Sequence, residues 1–153
     1  MRKVSIGDIF ELQTRKGLAY FQCMRKVPQW GTMIRVLSGF FMSRPSDMKS
    51  ITARTEQFIT FFPVDYAARK GIIHHVGTAP LPAHAQEFPV FRVPGLHGRD
   101  GKVMGWSTWD GKLTHDIKDL STELQKLPIL EVLNDTALIE LIEAEWTPET
   151  DFQ

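Results

Sequence analysis

The chain has 153 residues, of which 42% are hydrophobic and 24% charged, and this balance predicts one globular domain with an ordinary core. Its 18 basic and 18 acidic residues cancel, which disfavours the classes of nucleic-acid-binding protein that depend on a strongly basic domain. No apolar run approaches the roughly 20 residues of a membrane-spanning helix, the start lacks a secretory signal pattern, and the single Cys23 excludes an internal disulfide, so we expect a cytoplasmic protein without a membrane span.

The first half of the chain predicts antiparallel strands joined by turns. Alternating apolar residues bounded by turn-forming residues predict five strands, at residues 8–12, 18–24, 32–37, 58–62 and 72–76. Residues 38–54 are rich in Gly, Pro and Ser, and they predict a long loop with at most one short helical turn. Residues 64–70 predict a short helix that ends at Gly71.

The middle of the chain predicts a second group of strands. Residues 88–93 alternate in hydrophobicity, but Pro89 favours an edge position. Two Asp-Gly pairs follow, at 100–101 and 110–111, and this pair between alternating segments is typical of a β-hairpin. We therefore expect a meander through residues 88–117.

The last part of the chain predicts two helices. Thr122 and Gln125 have capping-box spacing ahead of a short helix that ends before Pro128. Asn134 or Asp135 is expected to cap a second helix, whose apolar residues share one face: Leu138, Ile139, Leu141, Ile142 and Trp146. We expect this helix to pack on the sheet as a lid.

Together these elements predict the α+β class, as a strongly bent antiparallel sheet or a small SH3-like barrel with two C-terminal helices. The strands do not alternate regularly with helices, as they would in a parallel sheet. We expect a single domain over residues 1–153, with a β-rich core at about 6–117 and a helical part at about 121–147.

No catalytic, cofactor-binding or metal-binding pattern occurs in the sequence. His74 and His75 are adjacent, and neighbouring strand residues point to opposite faces, so they do not readily share a metal ion. A Gly-x-Ser-x-Gly elbow, a phosphate-binding loop and paired Cys or His spacings are all missing. We therefore expect a non-enzymatic protein without cofactor or metal, although a catalytic site that only the fold assembles stays an open alternative.

Nucleic-acid binding by a small β-barrel is an alternative function. Aromatic and basic residues interleave in the first three predicted strands and the loop after them, a pattern typical of a base-stacking platform: Tyr20, Trp30, Arg35, Phe40 and Arg44. The neutral total charge weighs against this alternative. The ordinary interpretation is that the aromatic residues point inward and the basic residues outward.

The C-terminal part of the chain is acidic. Residues 131–153 contain seven Asp or Glu and no Lys or Arg, and the first 75 residues carry +7 whereas the remainder carries −7. Carboxylates near a helix C-terminus oppose the helix dipole by about 0.3–1 kcal/mol each, so their position indicates a surface selected for binding. We predict contacts to a basic partner at Glu140, Glu143, Glu145 and Glu149. The alternative is that these carboxylates face the basic first half or solvent.

Several stretches of the first half form a recognisable series: Gly-Asp-Ile-Phe-Glu-Leu at 7–12, Gly-Leu-Ala-Tyr-Phe-Gln at 17–22, Ile-Arg-Val-Leu at 34–37, and residues 58–63 and 71–77. This series, over roughly residues 6–93, resembles the bacterial immunity protein 26 family, which is associated with polymorphic toxin systems. The resemblance implies a small cytosolic protein that binds a cognate toxin and protects the producing cell. It implies no residue roles, so the acidic surface is a separate inference.

Overall fold

The computed structural model describes residues 3–151, and within them eight strands form two antiparallel sheets accompanied by four short helices. The strands are β1 (Asp8–Thr14), β2 (Gly17–Val27), β3 (Gly31–Phe41), β4 (Glu56–Phe62), β5 (Ile73–Thr78), β6 (Phe91–Pro94), β7 (Trp106–Trp109) and β8 (Thr114–Ile117). The helices are α1 (Met48–Thr52), α2 (Val64–Arg69), α3 (Thr122–Gln125) and α4 (Asp135–Glu143). Two 3-10 turns lie at Ala83–Ala85 and Pro148–Thr150. The predicted α+β class is confirmed.

The larger sheet has the strand order β4-β3-β2-β1-β5, with every pair antiparallel. Register shifts interrupt the pairing of each neighbouring pair except β1 with β2, and such bulges increase local twist and bend. Among residues 3–151, β4 and β5 do not pair with each other, so this sheet is not closed into a barrel. The SH3-like barrel that the sequence offered as an alternative is therefore not confirmed.

Both faces of the larger sheet are covered, which explains why its central strands are nearly continuous in buried residues. One face packs against α2 and α4 through a single apolar cluster that includes Phe10, Phe21, Ile34, Phe62, Ile73, Ala67, Leu138 and Ile142. The opposite face is divided between α1, which contributes Ile51, and the smaller sheet, which contributes Phe91 and Trp109. The prediction that the last helix packs on the sheet is confirmed.

Residues 128–133 connect the two sheets through the backbone. Phe61 of β4 makes two backbone hydrogen bonds with this segment, of 3.2 and 2.9 Å, and Arg92 of β6 makes two more, of 2.8 and 3.0 Å. The pairing is parallel on both sides. The segment therefore covers the outer edge of β4, which would otherwise expose unpaired N–H and C=O groups, and it fixes the smaller sheet, ordered β6-β7-β8, beside the larger one.

Two sequence predictions differ from the structure in their boundaries. The loop predicted over 38–54 is shorter, because β3 continues to Phe41 and Asp47 caps α1 through its side chain. The helix predicted from a Thr122 capping box instead has Ser121 as its N-cap, whose hydroxyl oxygen accepts from the Leu124 N–H at 3.3 Å. Neighbouring residues at both places have similar capping or strand-forming tendencies. The sequence alone therefore does not determine at which residue the element begins or ends.

None of the helices within residues 3–151 has the length and hydrophobicity that a membrane span requires.

Candidate protein-interaction surface

Helix α4 carries the centre of the acidic C-terminal segment. Its N-terminus is capped by Asn134, whose side-chain oxygen accepts from the Ala137 N–H at 2.8 Å. Leu138 and Ile142 are buried against the sheet, which fixes the rotation of the helix. Because these apolar residues point inward, Glu140 is directed to the solvent-exposed side.

The turn between β1 and β2 approaches α4 and binds one of its carboxylates. The Glu143 carboxylate accepts the backbone N–H of Arg15 at 2.6 Å and the Arg15 guanidinium at 3.1 Å. The Glu143 side chain is only 11% exposed, whereas that of Arg15 is 87% exposed. These hydrogen bonds, the backbone one first, hold the pKa of Glu143 below its usual range. Glu143 therefore anchors the turn to the helix.

The C-terminal end of α4 has a second contact with the same turn. Lys16 Nζ lies 3.9 Å from Glu145 Oε2, and both side chains are more than half exposed. Such a pair contributes at most about 1 kcal/mol. The Gln57 side chain donates to the carbonyls of Leu141 and Trp146, at 3.1 and 3.0 Å, and so satisfies backbone groups where the helix ends.

A groove of about 420 Å³ lies between α4 and the turn. It is lined by Gln13, Thr14 and Arg15 on one side and by Asp135, Thr136, Ile139, Glu140 and Glu143 on the other. The lining thus includes three carboxylates, one arginine and the apolar side chain of Ile139, and one of the carboxylates, Glu143, is already bound by Arg15. We call this opening the acidic groove; it is suited to a cationic segment that also carries apolar side chains.

The four predicted contact residues have different positions. Glu140 lines the acidic groove, is exposed and forms no ion pair with any residue of 3–151. Glu143 lines the groove but is bound by Arg15, and Glu145 is weakly paired with Lys16. Glu149 is exposed on the 3-10 turn that follows α4 and does not line the groove. The two halves of the chain therefore neutralise each other only in part.

The residues proposed for a nucleic-acid platform do not form one exposed surface. Tyr20 is buried, its hydroxyl donates to Glu11 at 2.7 Å, and burial raises its pKa. Arg44 donates to both oxygens of the same carboxylate, at 2.8 and 3.0 Å. Arg35 is also buried. The prediction that Tyr20 and Arg35 belong to an exposed base-stacking platform is therefore wrong. Trp30 and Phe40 are partly buried against apolar clusters.

Arg35 is the centre of a buried hydrogen-bond network. Its guanidinium donates to Gln22 at 2.6 Å, to Glu56 at 2.7 Å, and to the backbone carbonyls of Thr52 and Arg54. A buried guanidinium is tolerated only when its donors are satisfied in this way. The network connects α1 and β4 to the centre of the sheet. These hydrogen bonds explain why an arginine is found at a buried position of a central strand.

A second titratable cluster fastens β1 to β5. The buried Asp8 carboxylate accepts from the Thr78 hydroxyl at 2.7 Å and lies 3.1 Å from His75 Nε2. Burial alone would raise the pKa of Asp8, but hydrogen bonds from Thr78, Ser5 and His75 outweigh it and lower the pKa. His75 Nε2 also lies 3.5 Å from the Thr78 hydroxyl. Because one ring nitrogen faces both the hydroxyl and the carboxylate, the three groups do not form the serial relay of a nucleophile, a base and an orienting acid.

Two further groups bear on chemistry. Cys23 is buried and burial raises the pKa of its thiol, which disfavours the thiolate that a nucleophile or metal ligand needs. Within residues 3–151, no group of three or more His, Cys, Asp or Glu side chains is placed to hold a metal ion.

Arg15 and Lys16 contact the acidic segment of the candidate surface, and the sequence alone did not identify them. Arg15 is 128 residues away from Glu143 in the sequence. A contact between residues so far apart is formed by the fold and leaves no local spacing pattern. The opposite charges of the two chain halves were the available signal, but they did not identify the partners.

Comparisons with protein-family models, with curated proteins and with solved structures found no match to this chain.

Proposed function

We propose that this chain is a non-enzymatic cytosolic immunity protein, which binds a cognate protein toxin and neutralises it by covering a basic surface of the toxin. The acidic groove carries the proposal, because exposed Glu140 and half-buried Asp135 line it together with the apolar Ile139. A site of this composition attracts a basic partner and accelerates its association. The resemblance of residues 6–93 to the immunity protein 26 family supports the same function.

The free protein offers a model of how the partner would bind. Arg15 binds Glu143 while its guanidinium stays largely exposed, and a cationic group of the partner is proposed to bind at the rim in a similar way. Glu140 forms no ion pair with the described residues, although Arg15 is close enough to interact with it electrostatically. We propose that a cation of the partner binds Glu140. We therefore assign Glu140 and Glu145 as contact residues, Glu149 as a peripheral contact, and Glu143 as the residue that positions the turn.

Two observations support a binding protein over an enzyme. The single thiol is buried with a raised pKa, and the Thr78 hydroxyl already donates a hydrogen bond to Asp8. Nucleic-acid binding is the less favoured alternative, because Tyr20 and Arg35 of the suggested platform are buried.

The proposal is tested with the toxin encoded beside this chain's reading frame, by measuring association and dissociation rates at low and high salt. Glu140→Lys with Glu145→Lys is expected to lower the association rate at least tenfold at low salt, because it replaces attraction by repulsion. Glu87→Lys with Asp116→Lys makes the same change in net charge at two exposed carboxylates away from the groove, and it is the matched control.

Unchanged association kinetics in the groove variant at low salt would refute the proposed surface. Salt-dependent binding of the wild-type chain to heterogeneous RNA or single-stranded DNA, with no binding to the neighbouring toxin, would favour the nucleic-acid alternative instead.

A further inference from the structure

Residues 95–105 form a hairpin arm that extends the β6–β7 pair beyond the smaller sheet. Its two sides are joined by backbone hydrogen bonds from Gly95 to Gly105 and from Met104 to Leu96, each of 2.7 Å, and from Gly98 to Lys102, of 2.8 Å. We call residues 95–105 the arm.

The arm is an ordered ribbon rather than a loose loop. At its tip the Asp100 carboxylate accepts the Lys102 N–H at 3.0 Å, and Gly101 has φ +80, a conformation that favours glycine. At its base, a Cβ on Gly95 would lie 2.9 Å from the Gly105 carbonyl oxygen, so only glycine permits the close approach. The arm therefore has a defined backbone conformation although it does not pack on an apolar core.

This ribbon presents an apolar pair to solvent. Leu96 is 82% exposed and Met104 is 75% exposed. They lie directly opposite each other across the hairpin, so both side chains are on the same face. Neither belongs to an apolar cluster formed by the described residues. Ordered apolar side chains left uncovered in this way are typical of a contact surface.

The charges next to this pair determine which partner fits. Arg99 and Lys102 are exposed and outnumber Asp100, whose carboxylate is engaged in the turn. A basic toxin surface would be repelled by the arm. The acidic groove has the complementary composition, because its lining carries three carboxylates against the single cation of Arg15, together with the apolar Ile139.

We propose that the arm of one molecule docks in the acidic groove of a second copy of this chain. Leu96 and Met104 would cover Ile139, while Arg99 and Lys102 would face Asp135 and Glu140. The contact is heterologous, since it joins two different surfaces, and it produces head-to-tail assembly. The absence of net charge at neutral pH favours such association, because no overall repulsion opposes it.

The contact is small, so the association is weak and reversible, as expected for interfaces below about 1,200 Å². A basic toxin that enters the groove would displace the arm. Self-assembly and toxin binding therefore exclude each other, and at high protein concentration the arm of a neighbouring copy competes with the toxin for the groove. This regulation rests in part on the proposed function, whereas the self-association does not.

The self-association is tested by sedimentation velocity of the full chain over a range of concentrations at low and high salt. The wild-type chain is expected to show a weight-average sedimentation coefficient that rises with concentration at low salt and less so at high salt. Leu96→Ser with Met104→Ser, and separately Arg99→Glu with Lys102→Glu, should weaken association at least tenfold. Glu140→Lys with Glu145→Lys should do the same from the groove side.

Mixing the two charge-reversed variants should restore association, because each arm then meets a groove of opposite charge. All substituted positions except Glu140 lie outside α4, and circular dichroism checks that each variant folds. A chain that remains monomeric at every concentration would overturn the proposal. So would association that Glu140→Lys with Glu145→Lys leaves unchanged, since that result indicates contact between two arms.

This experiment distinguishes failure of the toxin-binding proposal from failure of the self-association proposal. The Leu96→Ser with Met104→Ser variant leaves the groove intact, so it is expected to bind the neighbouring toxin at least as fast as the wild-type chain. Loss of self-association together with retained toxin binding supports both proposals, whereas self-association without toxin binding supports only the arm.

Discussion

Glu145 is the non-glycine residue with a positive φ among residues 3–151, at 53°. A left-handed conformation costs an L-residue with a Cβ roughly 1–2 kcal/mol. It occurs here directly after the C-cap Ala144, where glycine is the usual residue. The side chain kept at this strained position is a carboxylate beside the acidic groove, which is consistent with selection for a surface property rather than for stability.

Glu145→Gly is therefore expected to stabilise the fold by about 1 kcal/mol, because it removes the backbone strain and loses only an exposed ion pair. Urea denaturation measures the change in free energy of unfolding. Glu140→Gly is the matched control, since the same substitution in the exposed middle of α4 should destabilise by about 1 kcal/mol. Equal destabilisation by both variants would contradict the assigned role of the left-handed conformation.

Buried polar residues limit what can be predicted for single side chains. Arg35 and Glu11 follow strand patterns in which polar residues are expected to face solvent, yet both are buried and hydrogen-bonded. Their partners, Gln22, Glu56 and Arg44, come from other strands or loops. Spacing within one segment cannot reveal such partners, so the nucleic-acid interpretation of Arg35 failed for a physical reason.

At the scale of elements, α4 is the part of the candidate site that the sequence predicts best. Apolar residues at helical spacing determine its buried face, and Asn134 determines where it begins. Both signals are local, because a helix satisfies its hydrogen bonds within one segment. The acidic groove is different, since its second wall is the β1–β2 turn.

Asn134→Ala is expected to destabilise the protein by about 1 kcal/mol, because the Ala137 N–H loses its side-chain acceptor. Asn134→Asp retains an acceptor oxygen and places a negative charge at the helix N-terminus, so it should be close to neutral in its effect. Urea denaturation compares the two variants, with α4 helicity followed by circular dichroism. A loss of stability with Asp as large as with Ala would show that the cap is not important.

For the whole molecule, β4 is the junction at which the two sheets and the helices meet. Phe61 and Phe62 are adjacent, both are buried, and they point to opposite faces. Phe61 stacks on Phe91 of the smaller sheet with ring centroids 5.5 Å apart, whereas Phe62 packs in the cluster shared with α2 and α4. The two faces of one strand thus stabilise different parts of the fold.

Phe61→Leu and Phe62→Leu are each expected to cost about 0.5–3 kcal/mol, since each loses aromatic contacts at a buried position. Native-state hydrogen exchange distinguishes them. Phe61→Leu should reduce protection mainly in β6 and β7, and Phe62→Leu mainly in α2 and α4. Identical protection patterns in the two variants would indicate that the two faces are not separable units.

Local sequence patterns were enough to predict the α+β class, the approximate positions of the strands and the buried face of α4, because periodicity and turn residues act over a few positions. The sequence also indicated an acidic end on an otherwise neutral chain. The binding of Glu143 by Arg15, the exposure of Glu140 and the joining of the two sheets by residues 128–133 are visible only in the folded chain. These contacts bring together groups more than 30 residues apart in the chain, so they depend on packing of the whole fold and have no local signature.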